Sequence, residues 1–151
     1  MKEIKQIFEK EEYMELLLEA DPEQEVVKKY LNNSEVYGIF DAGNIMCIIV
    51  LTRIDDDICE LKNIATIKEA RGKGYGKEII QHVATLYKDK YKKMIVGTTE
   101  NNIPFYVKCG FDRYYKTVKN FFIDNYKQPI WDGNLQCIDM YYYYMDLMKN
   151  K

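Results

Sequence analysis

This chain has little of what most metal and redox sites are built from. It carries one histidine, His82, and four cysteines, Cys47, Cys59, Cys109 and Cys137. The cysteines are scattered, with no paired spacing for zinc or a redox dithiol. They read as buried thiols in a reducing compartment, and no metal site is expected. A bias in charge is missing too: 22 Lys+Arg against 24 Asp+Glu leave −2, which argues against a nucleic-acid-binding surface. No apolar run approaches the roughly 20 residues of a membrane span, so no membrane partner is expected. The opening Met1-Lys2-Glu3-Ile4-Lys5 lacks the apolar core of a secretory leader, which predicts a cytoplasmic location. Repeats, low-complexity tracts and linkers are absent. With 151 residues, 47% of them hydrophobic, the chain is expected to form a single domain over 1–151.

What is present alternates between strand and helix patterns. Ile4 to Ile7 suits a short strand, and Tyr13, Leu16, Leu17 and Ala20 fall at helical spacing. Asp21-Pro22-Glu23-Gln24 reads as a helix start, with Asp21 as cap and Pro22 in the first helical position. Val26, Val27, Tyr30 and Leu31 form that helix's apolar face, and Asn32-Asn33 ends it. Val36 to Phe40 and Ile45 to Ile54 make a hairpin around Asp41-Ala42-Gly43-Asn44. The acidic run Asp55-Asp56-Asp57 is a solvated turn into a strand over Ile58 to Ile67. A helix from about Gly74 to Lys90, a strand over Met94 to Thr98 and a short helix around Pro104 to Lys108 follow. Phe111 to Ile123 and Gln136 to Leu147 read as two late strands. The expected class is mixed α/β.

Between the Ile58–Ile67 strand and the next helix lies Arg71-Gly72-Lys73-Gly74-Tyr75-Gly76-Lys77. Glycines at alternate positions let a backbone come close to a ligand. A helix start behind them offers unpaired N–H groups and a positive dipole end. Arg71, Lys73 and Lys77 add charge at the same spot, so the ligand should bear phosphate. A P-loop is excluded, because Gly76-Lys77 is followed by Glu78 and not by Ser or Thr. A dinucleotide fingerprint is excluded as well, since its third glycine would fall on Lys77 or Ile79.

The pattern Arg-x-x-Gly-x-Gly resembles the pyrophosphate loop of the GNAT superfamily of acetyl-CoA-dependent N-acetyltransferases. Three further blocks in the same order strengthen the resemblance. They are Glu60-Leu61-Lys62-Asn63-Ile64-Ala65-Thr66, then Phe105-Tyr106-Val107-Lys108-Cys109-Gly110-Phe111, and finally Phe121 to Tyr126 with Pro129-Ile130, Gly133 and Asp139-Met140. Together they cover about 45–147. The resemblance implies a mixed, mostly antiparallel sheet of about six to seven strands flanked by helices. Its fourth and fifth strands, about 57–67 and 93–99, would run parallel and splay apart around acetyl-CoA. The turn Arg71, Gly72, Lys73, Gly74, Tyr75, Gly76 and Lys77 would then hold pyrophosphate. Main-chain groups of Ile64, Ala65 and Thr66 would hold the pantetheine arm as an added strand.

Acetyl transfer to an amine requires loss of an ammonium proton and protonation of a departing thiolate. The resemblance makes Glu60 the candidate base and Tyr106 the candidate acid. Each has a plain alternative: Glu60 as a strand glutamate paired with Lys62, and Tyr106 as a core tyrosine among 14. Asn101-Asn102-Ile103-Pro104 makes the helix before Tyr106 about a turn shorter than is common in the family. Contact of Asn102 with the cofactor and capping of the short helix both fit. Tyr126 and Trp131, in the loop 124–135, offer aromatic walls for a small-molecule or peptide amine. His82 sits with Gln81 and Thr85 on a polar helix side, and Cys109 has no neighbouring base. Tyr141 and Tyr143 should point to one face of their strand and Tyr142 and Tyr144 to the other, one pair packing on the core. The expectation is an acetyl-CoA-dependent N-acetyltransferase, monomeric or homodimeric. The alternatives are an inactive acetyl-CoA-binding sensor and a protein-interaction module.

Overall fold

A computed structural model describes residues 1–150 and is built on one seven-stranded sheet. In chain order the strands are β1 (Lys2–Ile7), β2 (Glu35–Asp41), β3 (Asn44–Arg53), β4 (Ile58–Thr66), β5 (Lys93–Thr98) and β6 (Arg113–Val118). A two-stranded hairpin of β7 (Ile130–Asp132) and β8 (Leu135–Cys137) comes next, then β9 (Met140–Asp146). Spatial order is β1-β2-β3-β4-β5-β9-β6, antiparallel everywhere except the β4–β5 pair. The mixed α/β expectation and the strand number are borne out.

Helices cover both faces. The 13-residue α3 (Tyr75–Tyr87) lays Ile79, Ile80, Val83 and Tyr87 on Leu51, Cys59, Leu61 and Val96. On the opposite face, α1 (Met14–Ala20) and α2 (Gln24–Leu31) pack Leu16, Leu17, Val27 and Leu31 on Val36, Ile48, Val50 and Ala65. Central strands are therefore buried on both sides, which explains the near-continuous apolar run Cys47 to Leu51. Two short helices, α4 (Ile103–Lys108) and α5 (Phe121–Asn125), complete the chain's regular structure beside four 3₁₀ turns. Among the described residues no helix is long and apolar enough to cross a membrane.

Several boundaries differ from the sequence reading. Glu23, not Asp21, precedes α2, and Asp21 follows α1 in extended backbone with its carboxylate bonded elsewhere. Phe111 to Ile123 is not one strand. Asn120 takes a left-handed conformation (φ 58°), its N–H donates to Asp139 Oδ1 at 2.9 Å, and α5 starts there. Gln136 to Leu147 is likewise divided between the β7–β8 hairpin and β9. The tyrosine run splits by member and not by pair. Tyr143 packs beside the α3 core, while Tyr142, 8% exposed, lies on the other face.

The site is set by where β4 leaves β5. The two pair from Ile58↔Lys93 to Leu61↔Val96 and then part, β4 following β3 to Thr66 and β5 following β9 to Thr98. At the parting point β4 carries a bulge. Val50 faces Asn63 and Leu51 faces Leu61, leaving Lys62 as the extra residue. A bulge bends its strand and shifts the side-chain phase. Strict alternation would put Asn63 on Leu61's side; after the bulge Asn63 reaches Leu17 of α1 on the other face.

Candidate active site

The parted strands enclose a cavity of about 450 Å³. Leu61 to Ile64 line it from β4 and Val96 to Thr98 from β5. Gly97 makes part of the floor. A Cβ there would sit 2.7 Å from Met140 Sδ and 2.9 Å from the Tyr142 ring, so only glycine lets those side chains lie across the strand. Asn102 and Tyr106 complete the lining beside α4, with Asp21, Tyr126 and Trp131.

The Gly-rich turn lies beyond the end of β4. Gly72 (φ 78°) and Gly74 (φ 86°) are left-handed, and a Cβ on either would meet nothing within 4 Å. The space above them is open. Gly76 has another task, since its Cβ would come 3.1 Å from Phe105 Cζ, so it lets α4 approach the start of α3. The first intrahelical bond of α3 runs from Glu78 N–H to the Gly74 carbonyl at 3.0 Å. By helix geometry the N–H groups of Tyr75, Gly76 and Lys77 have no carbonyl a turn earlier. Arg71 is not free over this turn: its Nη2 binds Glu19 Oε1 at 2.7 Å and its Nε donates to the Thr66 carbonyl at 3.1 Å. Lys73 and Lys77 flank the turn.

Glu60 is buried, 8% exposed, on the sheet face away from α3. Burial lifts its carboxyl above the usual glutamate range, against the opposing pull of Lys62 and Lys116. Lys62 Nζ lies 3.7 Å from Glu60 Oε2 and 5.3 Å from the Tyr30 ring centroid, so the paired reading of Glu60 is present in the structure. Leu61 and Lys62 line the cavity, and Glu60 is not part of its lining.

Tyr106 rises from the middle of α4, held edge-on between the Phe105 and Phe111 rings at 5.1 and 5.8 Å. Its hydroxyl has no hydrogen-bond partner among the described residues, although the side chain lines the cavity. Burial, with the nearby Cys109 second, pushes its pKa well up, so the phenol stays protonated. Asn102 lines the cavity at the foot of α4 and donates to Thr99 Oγ1 at 3.4 Å. Asn101 turns away to the Asp132 carbonyl, also at 3.4 Å. His82 is exposed; Cys109 is buried, and burial raises its thiol pKa. No cluster of three metal-ligating side chains occurs among the described residues.

Residues 1–111 match the family model described as "Acetyltransferase (GNAT) family". The chain belongs to that family. A curated relative, the uncharacterized N-acetyltransferase YvbK of Bacillus subtilis, is 30% identical over 145 residues, spanning 91% of this chain and 90% of its own. A GNAT family acetyltransferase from Elizabethkingia anophelis, solved with acetyl-CoA bound, is 34% identical and superposes with a TM-score of 0.89, covering 96% of this chain and 97% of its own. A Bacillus subtilis acetyltransferase solved in complex with CoA is 28% identical, with a TM-score of 0.85 over 98% of this chain and 100% of its own. The family match takes in the N-terminal helices, in which the sequence offered no motif.

The site residue that sequence reasoning missed is Asp21. Local patterning makes it a helix cap, but its Oδ2 accepts from Tyr30 at 3.0 Å and its Oδ1 from Tyr126 at 2.8 Å, on the cavity wall. No local signal reveals this, since Tyr126 is 105 residues away.

Proposed function

We propose that this protein is an N-acetyltransferase that moves the acetyl group of acetyl-CoA to an amine by direct attack in a ternary complex. The observation carrying this reading is the cavity where β4 parts from β5, lined by Asn102 and Tyr106 together with Tyr126 and Trp131. The open space above Gly72 and Gly74 and the N–H groups of Tyr75, Gly76 and Lys77 fit a diphosphate. Lys73 and Lys77 add charge there. The edge of β4 past Leu61 has no β5 partner, so Ile64, Ala65 and Thr66 can offer main-chain groups to an extended pantetheine arm. Asn102 supports that arm from the foot of α4.

The amine reaches the thioester from the Tyr126–Trp131 end. As its nitrogen bonds to the acetyl carbon, the carbon–sulfur bond breaks and the thiolate departs. Glu60, set back from the cavity, takes the ammonium proton through a water molecule. A raised carboxyl pKa brings it closer to the working range of a base at neutral pH. Tyr106, neutral and without a competing partner, gives its proton to the sulfur and is restored by the second proton that the acylated nitrogen sheds. In the test, purified protein, acetyl-CoA and a panel of amines are assayed for CoA release. Wild type should acetylate at least one amine, and Glu60→Gln and Tyr106→Phe should slow it by roughly a hundredfold while leaving CoA affinity largely intact. CoA binding without any transfer would instead favour a sensor.

A further inference from the structure

The cavity wall holds a polar network that the transfer chemistry leaves unused. Asn63, 4% exposed, anchors it. Its amide orientation is fixed, because Nδ2 donates to the Leu17 carbonyl at 3.1 Å and a carbonyl only accepts. The same Nδ2 donates to Tyr30 Oη at 3.1 Å. Tyr30 Oη donates to Asp21 Oδ2, and Tyr126 Oη donates to Oδ1. The donors of the network therefore point toward Asp21, whose pKa burial raises against the pull of the two phenols and of Lys62.

The groups of the network left over are acceptors. Asn63 Oδ1 is buried without a partner among the described residues, and Asp21 keeps spare lone pairs. Asp132 adds a second carboxylate on the wall. Lys62, paired with Glu60 at 3.7 Å, also lies within electrostatic reach of Asp21, and Arg71 is held by Glu19 at 2.7 Å. A half-buried carboxyl that receives two phenol hydroxyls, beside an orphaned carbonyl oxygen, presents acceptors that a charged donor would satisfy. The Tyr126 and Trp131 rings suit the same guest, since aromatic faces attract ammonium groups.

Resting on the acetyltransferase reading, we infer that the acceptor carries a second protonated nitrogen, which binds between Asp21 and Asn63 Oδ1. The substrate class is then small diamines or polyamines and not simple monoamines. One ammonium docks in this network while the other amine meets the thioester. The anchor acts on specificity, through binding alone.

The test uses the full chain with linear α,ω-diamines and the 1-aminoalkanes of equal length. Wild type should favour diamines by about ten- to a hundredfold in kcat/KM, the range of one charge-assisted hydrogen-bonded contact. Asp21→Asn should collapse the ratio of diamine to monoamine toward one, and Tyr126→Phe should lower it by less. Calorimetry of a diamine against the chain without acetyl-CoA reads the anchor independently of turnover. Asp21-dependent diamine binding without acetylation of any amine would leave the anchor standing and remove the transferase. Equal acetylation of diamines and monoamines by wild type would keep the transferase and overturn the anchor, whether or not Asp21→Asn folds.

Discussion

The Arg71 guanidinium grips the Glu19 carboxylate at 2.7 Å, tying the Gly-rich turn to α1 across the sheet end where a diphosphate is proposed to dock. Both side chains are about half exposed (55% and 46%), so the pair is worth under about 1 kcal/mol. A diphosphate should displace Glu19 from it. Arg71→Ala is therefore expected to weaken CoA binding by roughly tenfold. Glu19→Gln, which removes the competitor, should strengthen it a few-fold. Titration calorimetry reads both, and weaker binding in Glu19→Gln would contradict the exchange.

Gly74 and Gly76 should fail differently. Alanine at Gly74 must adopt φ near 86°, which costs about 1–2 kcal/mol, and it places a methyl where phosphate is proposed to sit. Melting temperature and CoA affinity should fall together. At Gly76 the methyl meets Phe105 Cζ at 3.1 Å, so the disturbance passes to α4 and Tyr106. Turnover should fall more than CoA affinity does. Denaturation and kinetics on the two variants separate these outcomes.

Glu60 links pH to stability with a defined sign. Its folded-state pKa lies above the ordinary 4.5, so the folded chain holds this proton more tightly than the unfolded chain does. The resulting stabilisation is fully present below 4.5 and is lost as pH rises through the folded value. Once ionised, the buried Glu60 is a net burden. Glu60→Gln should raise the urea midpoint at neutral pH while slowing transfer. An unchanged or lower midpoint would show that Lys62 and Lys116 fully offset the burial.

Tyr106 should act late in the pH profile. With its pKa pushed up by burial, no limb of the profile near neutrality belongs to it. Tyr106→Phe should lower kcat by roughly a hundredfold without moving the acidic limb, which Glu60→Gln should flatten. A shifted acidic limb in Tyr106→Phe would point to a different proton donor.

Legibility in the sequence followed the range of the interactions. The turn at Arg71 to Lys77 and the helix behind it could be read locally, because spacing and glycine conformation determine them. Tyr106 was legible for the same reason, fixed relative to Gly110 on one short helix. Asp21 was misread because Asp-Pro is a strong local helix signal, overridden by two tyrosine hydroxyls from α2 and from beyond α5. The break in Phe111 to Ile123 was hidden likewise, for it depends on Asp139 capturing the Asn120 N–H from 19 residues away. The bulge at Lys62 leaves no mark in the alternation of β4. It nevertheless decides which face Asn63 joins.

A crystal structure of the chain with acetyl-CoA tests the central claim most directly. The account predicts the thioester lodged between Leu61–Ile64 and Val96–Thr98, its sulfur within hydrogen-bonding reach of Tyr106 Oη, and the diphosphate on the amides of Tyr75 to Lys77. A cofactor seated outside the β4–β5 gap, or a Tyr106 hydroxyl turned from the sulfur, would contradict it.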